Sequence, residues 1–240
     1  MSIATEIQRL QQAKADIKAA IEEKGVNVGD ETIDAYAAKI DEISGGGTAQ
    51  NPLEYASQLQ QTYQSVTFPD GYELTLNLPN ITSLASAFYS ASGLKKVTIK
   101  GNTAGNTVSF NRAFRNTNVE TVNLTEFNAI LSNCEMAFMY SHIVEILGEI
   151  DFSNVSNFSN TFMGLSALVT ITPKKETIKL SVSFAQSNKL SDISIQSIID
   201  GLADLTGGTA QTLTLHATVG SKLTDEQKAT ITAKNWELVY

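Results

Sequence analysis

The chain has 240 residues, 42% of them hydrophobic and 18% charged, with a formal net charge of −8. That length affords a substantial core in one large domain or two smaller ones, and the acidic balance argues against a nucleic-acid partner, which needs clustered Lys and Arg. The single cysteine, Cys134, excludes an intrachain disulfide framework and a multi-cysteine zinc site, and its place just before Ala137 and Phe138 suits packing.

The opening MSIATEIQRLQQAKADIKAAIEE has no apolar core of the secretory-signal kind, and no apolar run approaches the ~18 residues of a membrane span. Synthesis and folding in a cytoplasm, without membrane insertion, are therefore expected. Residues 3–24 read as a helix with Ile3, Ile7, Leu10, Ile17 and Ile21 at heptad spacing, interrupted where Lys14 falls on the seam. Gly25 ends it. Asp30 is a candidate N-cap for a second helix carrying Ile33, Tyr36, Ile40 and Ile43. GGGT then opens a linker over 45–52, so residues 1–44 form a helical module.

Two short helices bury little alone. Either the hairpin closes on itself or on the rest of the chain, or copies from several chains share the seam. The second reading is favoured here, with Ile7, Leu10, Ile17 and Ile21 between chains, Lys14 at the rim, and a homotrimer as the expected oligomer.

Residues 53–80 are expected to cap the N-terminal end of a repeat array: PLEYASQLQQTYQ as a helix and VTFPDGYELTLNLP as a hairpin around Pro69-Asp70-Gly71. From 81 to 195 an internal repeat governs. SLASAFYSASGLKKVTI, SFNRAFRNTNVETVNL, SNCEMAFMYSHIVEI, FSNTFMGLSALVTI and SVSFAQSNKLSDISI share a Phe, a polar run and later aliphatic residues. Their aromatics, Phe88, Phe114, Phe138, Phe162 and Phe184, are 26, 24, 24 and 22 residues apart. A unit of this length buries its apolar face only by stacking on its neighbours, Phe on Phe, with pairs such as Val97/Ile99 and Val122/Leu124 marking short strands. Residues 196–240 are expected to close the array. The preceding stretch runs into a helix over 194–208 ended by Gly207-Gly208, with a TLTL strand next at 212–215. A helix capped by Thr224 and Gln227 and a closing strand at 236–240 complete it.

The repeats resemble the BspA-type branch of leucine-rich repeats. DFSNVSNFSNTFMGLSALVTI is similar to that family's strand, asparagine-rich turn, Phe and following segment, and AFRNTNVETVNL and AFYSASGLKKVTI are similar to its A-F portion. The implied fold class is α+β, a leucine-rich-repeat solenoid with an N-terminal helical oligomerisation module and a C-terminal α/β cap. The N-terminal EIQRLQQAKADIKAAIEEKGV and the ending LTLHATVGSKLTDEQKATITAKNWELVY resemble the terminal segments of bacteriophage tail, baseplate and fibre proteins. That resemblance implies a virion structural protein, assembled in the host cytoplasm. Its N-terminal module would anchor it to other virion proteins, and its repeats would be offered to a host-surface glycan or protein. A bacterial cell-surface adhesin and a glycan-active enzyme are the alternatives.

No catalytic residue, metal site or cofactor is expected, because no metalloprotease, nucleophile-elbow or phosphate-loop motif occurs. Glu145, Glu149 and Asp151 cluster near one turn and could act as an acid–base pair, but read better as a solvated edge. His142 and His216 lie in different parts of the chain. Tyr89, Arg115 and Tyr140 are the candidate recognition surface, since exposed rings suit carbohydrate or protein contact.

Overall fold

The computed structural model describes residues 3–23, 27–29, 32, 36, 39, 63–102 and 105–240. The chain divides into two compact units, residues 1–51 and 52–240.

In the first unit, helix α1 runs Ile3–Glu23. Ile21 is buried with Val28 and Tyr36 in a small cluster of their own, and the Lys14 ammonium lies 5.7 Å from the centre of the Tyr36 ring. Of the expected second helix, Tyr36 and Lys39 are helical. Its other apolar positions, the linker at 45–52 and residues 52–62 of the helix expected over 52–64 lie outside the described residues; Tyr63 and Gln64, the last two of that stretch, are not helical.

The second unit mixes helices with parallel sheets. Strands β1 (Thr67–Asn77), β2 (Ser92–Lys100), β3 (Thr107–Ser109), β4 (Thr121–Asn123), β5 (Ile130–Asn133), β6 (Glu145–Ile150), β7 (Thr170–Pro173) and β8 (Val182–Phe184) come first. Helix α2 (Asp192–Gly201), β9 (Gln211–Leu215), α3 (Ala217–Gly220), α4 (Asp225–Ala233) and β10 (Trp236–Val239) come after them. One five-stranded sheet has the order β1-β2-β4-β6-β7, a three-stranded sheet β10-β9-β8, and a pair β3-β5; every pairing is parallel. Val97 of β2 pairs with Val122 of β4, and Val122 with Ile146 of β6. A register of 24–25 residues per step therefore brings like residues side by side. Parallel strands demand such long connections.

Those connections carry the aromatic column. The rings of Phe88, Phe114, Phe138, Phe162 and Phe184 stack in order at 4.8, 5.9, 5.8 and 4.4 Å, and all five are buried. Tyr63 continues the column beyond the repeats, stacked 5.5 Å from Phe88. Offset stacks of this kind add to the area they bury.

Around the first four of these Phe the backbone repeats a two-kink pattern. Residues two before and two after it adopt positive φ: Ser86 and Ser90, Arg112 and Asn116, Met136 and Tyr140, Asn160 and Gly164. At Gly164 a Cβ would lie 2.3 Å from Cδ1 of Tyr140, so the φ of +80° and the ring above it both call for glycine. Between units the N–H groups all donate forward through this segment. Leu84, Ser86, Phe88 and Ser90 donate to Ser109, Asn111, Ala113 and Arg115. Phe110, Arg112, Phe114 and Asn116 donate to the third unit, and Cys134, Met136, Phe138 and Tyr140 to the fourth.

Four expectations are corrected. Residues 67–77 form no hairpin: β1 is one continuous parallel strand, with a register shift between Thr67 and Tyr72 absorbing the Pro-Asp-Gly stretch. The helix expected over 194–208 starts earlier and ends at Gly201, because Leu202 takes an extended cap and pairs with Ile178. Lys234 donates to the carbonyls of Ile199, Asp200 and Leu202, satisfying that helix end. Ile21 of the predicted seam is packed within its own chain. Lastly, Phe184 is not the fifth equivalent of Phe162. The Ala185 N–H donates to Ser183 Oγ as Asn111 does to Ser109 Oγ, Glu135 to Asn133 Oδ1 and Ser159 to Asn157 Oδ1. Phe184 therefore holds the place of Phe110, Cys134 and Phe158, four residues ahead of the column Phe, although its ring joins the column.

The ending agrees with expectation more closely. Strand β9 covers TLTL, β10 covers Trp236–Val239, and α4 opens on a reciprocal capping box between Thr224 and Gln227. The Trp236 indole donates to the Ala203 carbonyl at 2.9 Å, which fixes β10 against the chain after α2.

Candidate recognition surface

The residue after Phe88 and after Phe114 emerges in part beside the kinked segment, whereas Met139 after Phe138 is buried. Tyr89 and Arg115 hold this place in successive units, and the structure brings them together with the guanidinium 5.4 Å from the centre of the Tyr89 ring. Arg115 Nη1 reaches Met136 Sδ at 3.7 Å, while its Nε is buried without a partner. The guanidinium thus lies over one ring and donates to a thioether, with no salt bridge to it among the described residues. Such a pre-set fork suits planar acceptors. Tyr140 stands one place further along its own unit, 48% exposed, and its ring covers Gly164. It belongs to a neighbouring column and not to the Tyr89–Arg115 pair.

The predicted seam of α1 splits in two. Ile7, Leu10 and Ile17 are 50%, 56% and 40% exposed. With Gln11, Ala13 and Lys14 they line an open, mostly apolar groove of about 700 Å³. Ile21 sits apart from them, buried with Val28 and Tyr36.

Glu149 and Asp151 line a second hollow, of about 500 Å³, with Thr125, Asn128 and Lys174. Lys174 Nζ lies 2.9 Å from Asp151 Oδ2, and the Ser153 N–H donates to Oδ1 at 2.9 Å. Partial burial pushes the Asp151 carboxyl upward, but the hydrogen bonds from Ser153 and the Lys174 ammonium outweigh it and hold the group below its ordinary range. A general acid needs the opposite shift, so the geometry at Asp151 is that of an ionised, paired surface carboxylate. Glu145 starts β6 and is absent from this hollow.

Both histidines hold backbone. His142 Nδ1 lies 3.3 Å from the Thr117 carbonyl, and His216 caps α3 by accepting from the Thr218 N–H at 3.2 Å. Cys134 is fully buried, and burial pushes its thiol pKa up, away from the reactive thiolate. Among the described residues no group of three His, Cys, Asp or Glu could hold a metal ion, and no helix is long and apolar enough to cross a membrane.

Nothing in the residue pattern pointed to Met136 as a neighbour of Arg115, or to Tyr63 as an extension of the aromatic column: Tyr63 precedes the repeats, and Met136 occupies a place where other units carry Ser, Arg or Asn. Compared with protein-family models, with curated proteins and with solved structures, the chain matches none.

Proposed function

We propose that this chain is a non-catalytic structural and recognition protein of a bacteriophage virion, of the tail-fibre or baseplate kind, built on a leucine-rich-repeat solenoid of BspA type. The observation that carries the reading is the pairing of two designs in one chain. One unit holds a helix with an uncovered Ile7-Leu10-Ile17 stripe, and the other a stack of aromatic units whose outer positions are free to vary. Parallel register at 24–25 residues and the unbroken Phe column support the solenoid.

In this reading α1 joins copies of the chain, most simply three, and attaches them to other virion proteins. The repeat surface around Tyr89, Arg115 and Tyr140 meets a host-surface glycan or protein, with several copies adding up weak single contacts. Light scattering on the full chain against residues 49–240 tests the first half: the full chain is expected to be oligomeric and the truncation monomeric. Mass spectrometry of purified virions tests the second. Recovery of the chain from a bacterial cell-wall fraction instead would favour the adhesin, and turnover of a cell-wall polysaccharide the enzyme.

A further inference from the structure

The forward-donating row has an end, and the end is open. In the first three units four alternate N–H groups each find a carbonyl in the next unit. In the fourth, the Gly164 N–H is taken by the side-chain oxygen of Gln186, while those of Phe158, Asn160 and Phe162 have no acceptor among the described residues. The unit behind them is slipped by four residues at Phe184: its ring enters the column, and none of its carbonyls accepts from these three groups. What lies there is a cleft of about 250 Å³, with Phe158, Asn160 and Phe162 on one wall and Ser183, Ala185 and Gln186 on the other.

The polar groups of this cleft are lopsided. The carbonyls of Phe158, Asn160, Phe162 and Gln186 already accept, from Thr161, Met163, Leu165 and Asn188. Ser183 Oγ accepts from the Ala185 N–H, and the Gln186 oxygen is spent on Gly164. Three backbone donors are free, and the acceptors left over, the Asn160 side-chain oxygen and the Ala185 carbonyl, carry no charge. An oxyanion offers lone pairs only and can take several of these donors at once, and a charge-assisted bond of this kind is about twice as strong as a neutral one. Parallel N–H dipoles at the end of a row also carry net positive potential, as they do at a helix N-terminus or an anion nest. In a chain with 25 acidic residues, none lines this cleft.

We infer that the cleft between the fourth and fifth units binds an oxyanion, a carboxylate or phosphate carried on a small organic group, through the N–H groups of Phe158, Asn160 and Phe162. The site stands on its own geometry and holds whether or not the chain belongs to a virion. The cleft exceeds a bare phosphate in size, which leaves room for part of the carrier beside Ala185.

The test is an amide-resolved NMR titration of the full-length ¹⁵N-labelled chain with glucuronate, glycerol 3-phosphate and glucose at matched ionic strength. Selective shifts of the Phe158, Asn160 and Phe162 amides are expected at roughly millimolar anion, the weak range of a small ligand. The equivalent amides of Phe110, Arg112, Phe114, Cys134, Met136 and Phe138 should stay still. A response to glucuronate alone or to glycerol 3-phosphate alone identifies the carrier chemistry. Ala185→Glu, at an exposed position, should abolish the shifts while leaving the thermal midpoint unchanged. No selective shift with either anion, equal shifts with glucose, or shifts that survive Ala185→Glu in a folded protein would overturn the assignment.

Discussion

Phe114 and Leu10 are both large apolar residues in regular patterns, one repeating at about 24 residues and the other at three and four. The first has no exposure and the second is 56% exposed. The difference lies in where the partner comes from. A Phe in the array is covered by the next unit of its own chain, so its pattern already contains what buries it. A stripe on a single helix specifies a face and leaves the cover to something else.

This contrast can be broken at its strongest point first. Phe114→Ala or Phe138→Ala should destabilise residues 52–240 by about 3–5 kcal/mol, the cost of emptying a large buried aromatic site, as read from denaturant midpoints. A loss near that of a surface change would remove the column from the core. Next comes Gly164→Ala, which meets both a φ of +80° and the Tyr140 ring at 2.3 Å. Roughly 1–3 kcal/mol is expected, and Tyr140→Ala in the same chain should return part of it. If the pair of changes proves additive, the ring is not what confines the glycine.

A smaller effect is expected from Asp151. Its folded pKa is lowered, so its contribution is present above the unfolded value of about 3.9 and is lost as pH falls through the folded value. Asp151→Asn should therefore lower the urea midpoint at neutral pH and converge with the parent chain in acid. Parallel curves at all pH values would show that the Lys174 pair does not carry the shift. On the other side of the comparison, Leu10→Glu should leave the melting of residues 52–240 within about 0.5 kcal/mol of the parent while lowering the oligomeric mass in light scattering. An unchanged mass would mean that the stripe is covered some other way.

Much of the array could be read from Phe88, Phe114, Phe138 and Phe162, because burial inside a stack forces identical residues to recur at the period of the backbone. Spacing alone misplaced Phe184. A ring can reach the column from a backbone position four residues away, and only the hydrogen-bond register separates the two cases. The Pro69-Asp70-Gly71 stretch carries the composition of a turn, yet a parallel neighbour and a bulge let β1 pass through it. Left-handed kinks at Arg112, Met136 and Tyr140 were invisible because these residues do not favour that conformation. Tyr89 and Arg115 were legible as candidates, although both prove half-buried and not exposed. Their stacking, and the idle donors at Phe158, Asn160 and Phe162, depend on the order in which units are stacked, and no local pattern encodes that.

Along the kinked segments donation runs one way from unit to unit, which gives that row a head and a tail that are chemically unlike. Duplicating a whole interior unit of 24 residues would extend the structure without disturbing either terminus, since every interior face matches every other. Moving the fifth unit inward would not, because its slipped backbone at Phe184 takes none of the donors offered to it. Growth by tandem duplication is therefore open to this architecture, while reversal and shuffling of its ends are closed. Lineages of such proteins are expected to differ in unit number at the centre and to keep their two ends distinct.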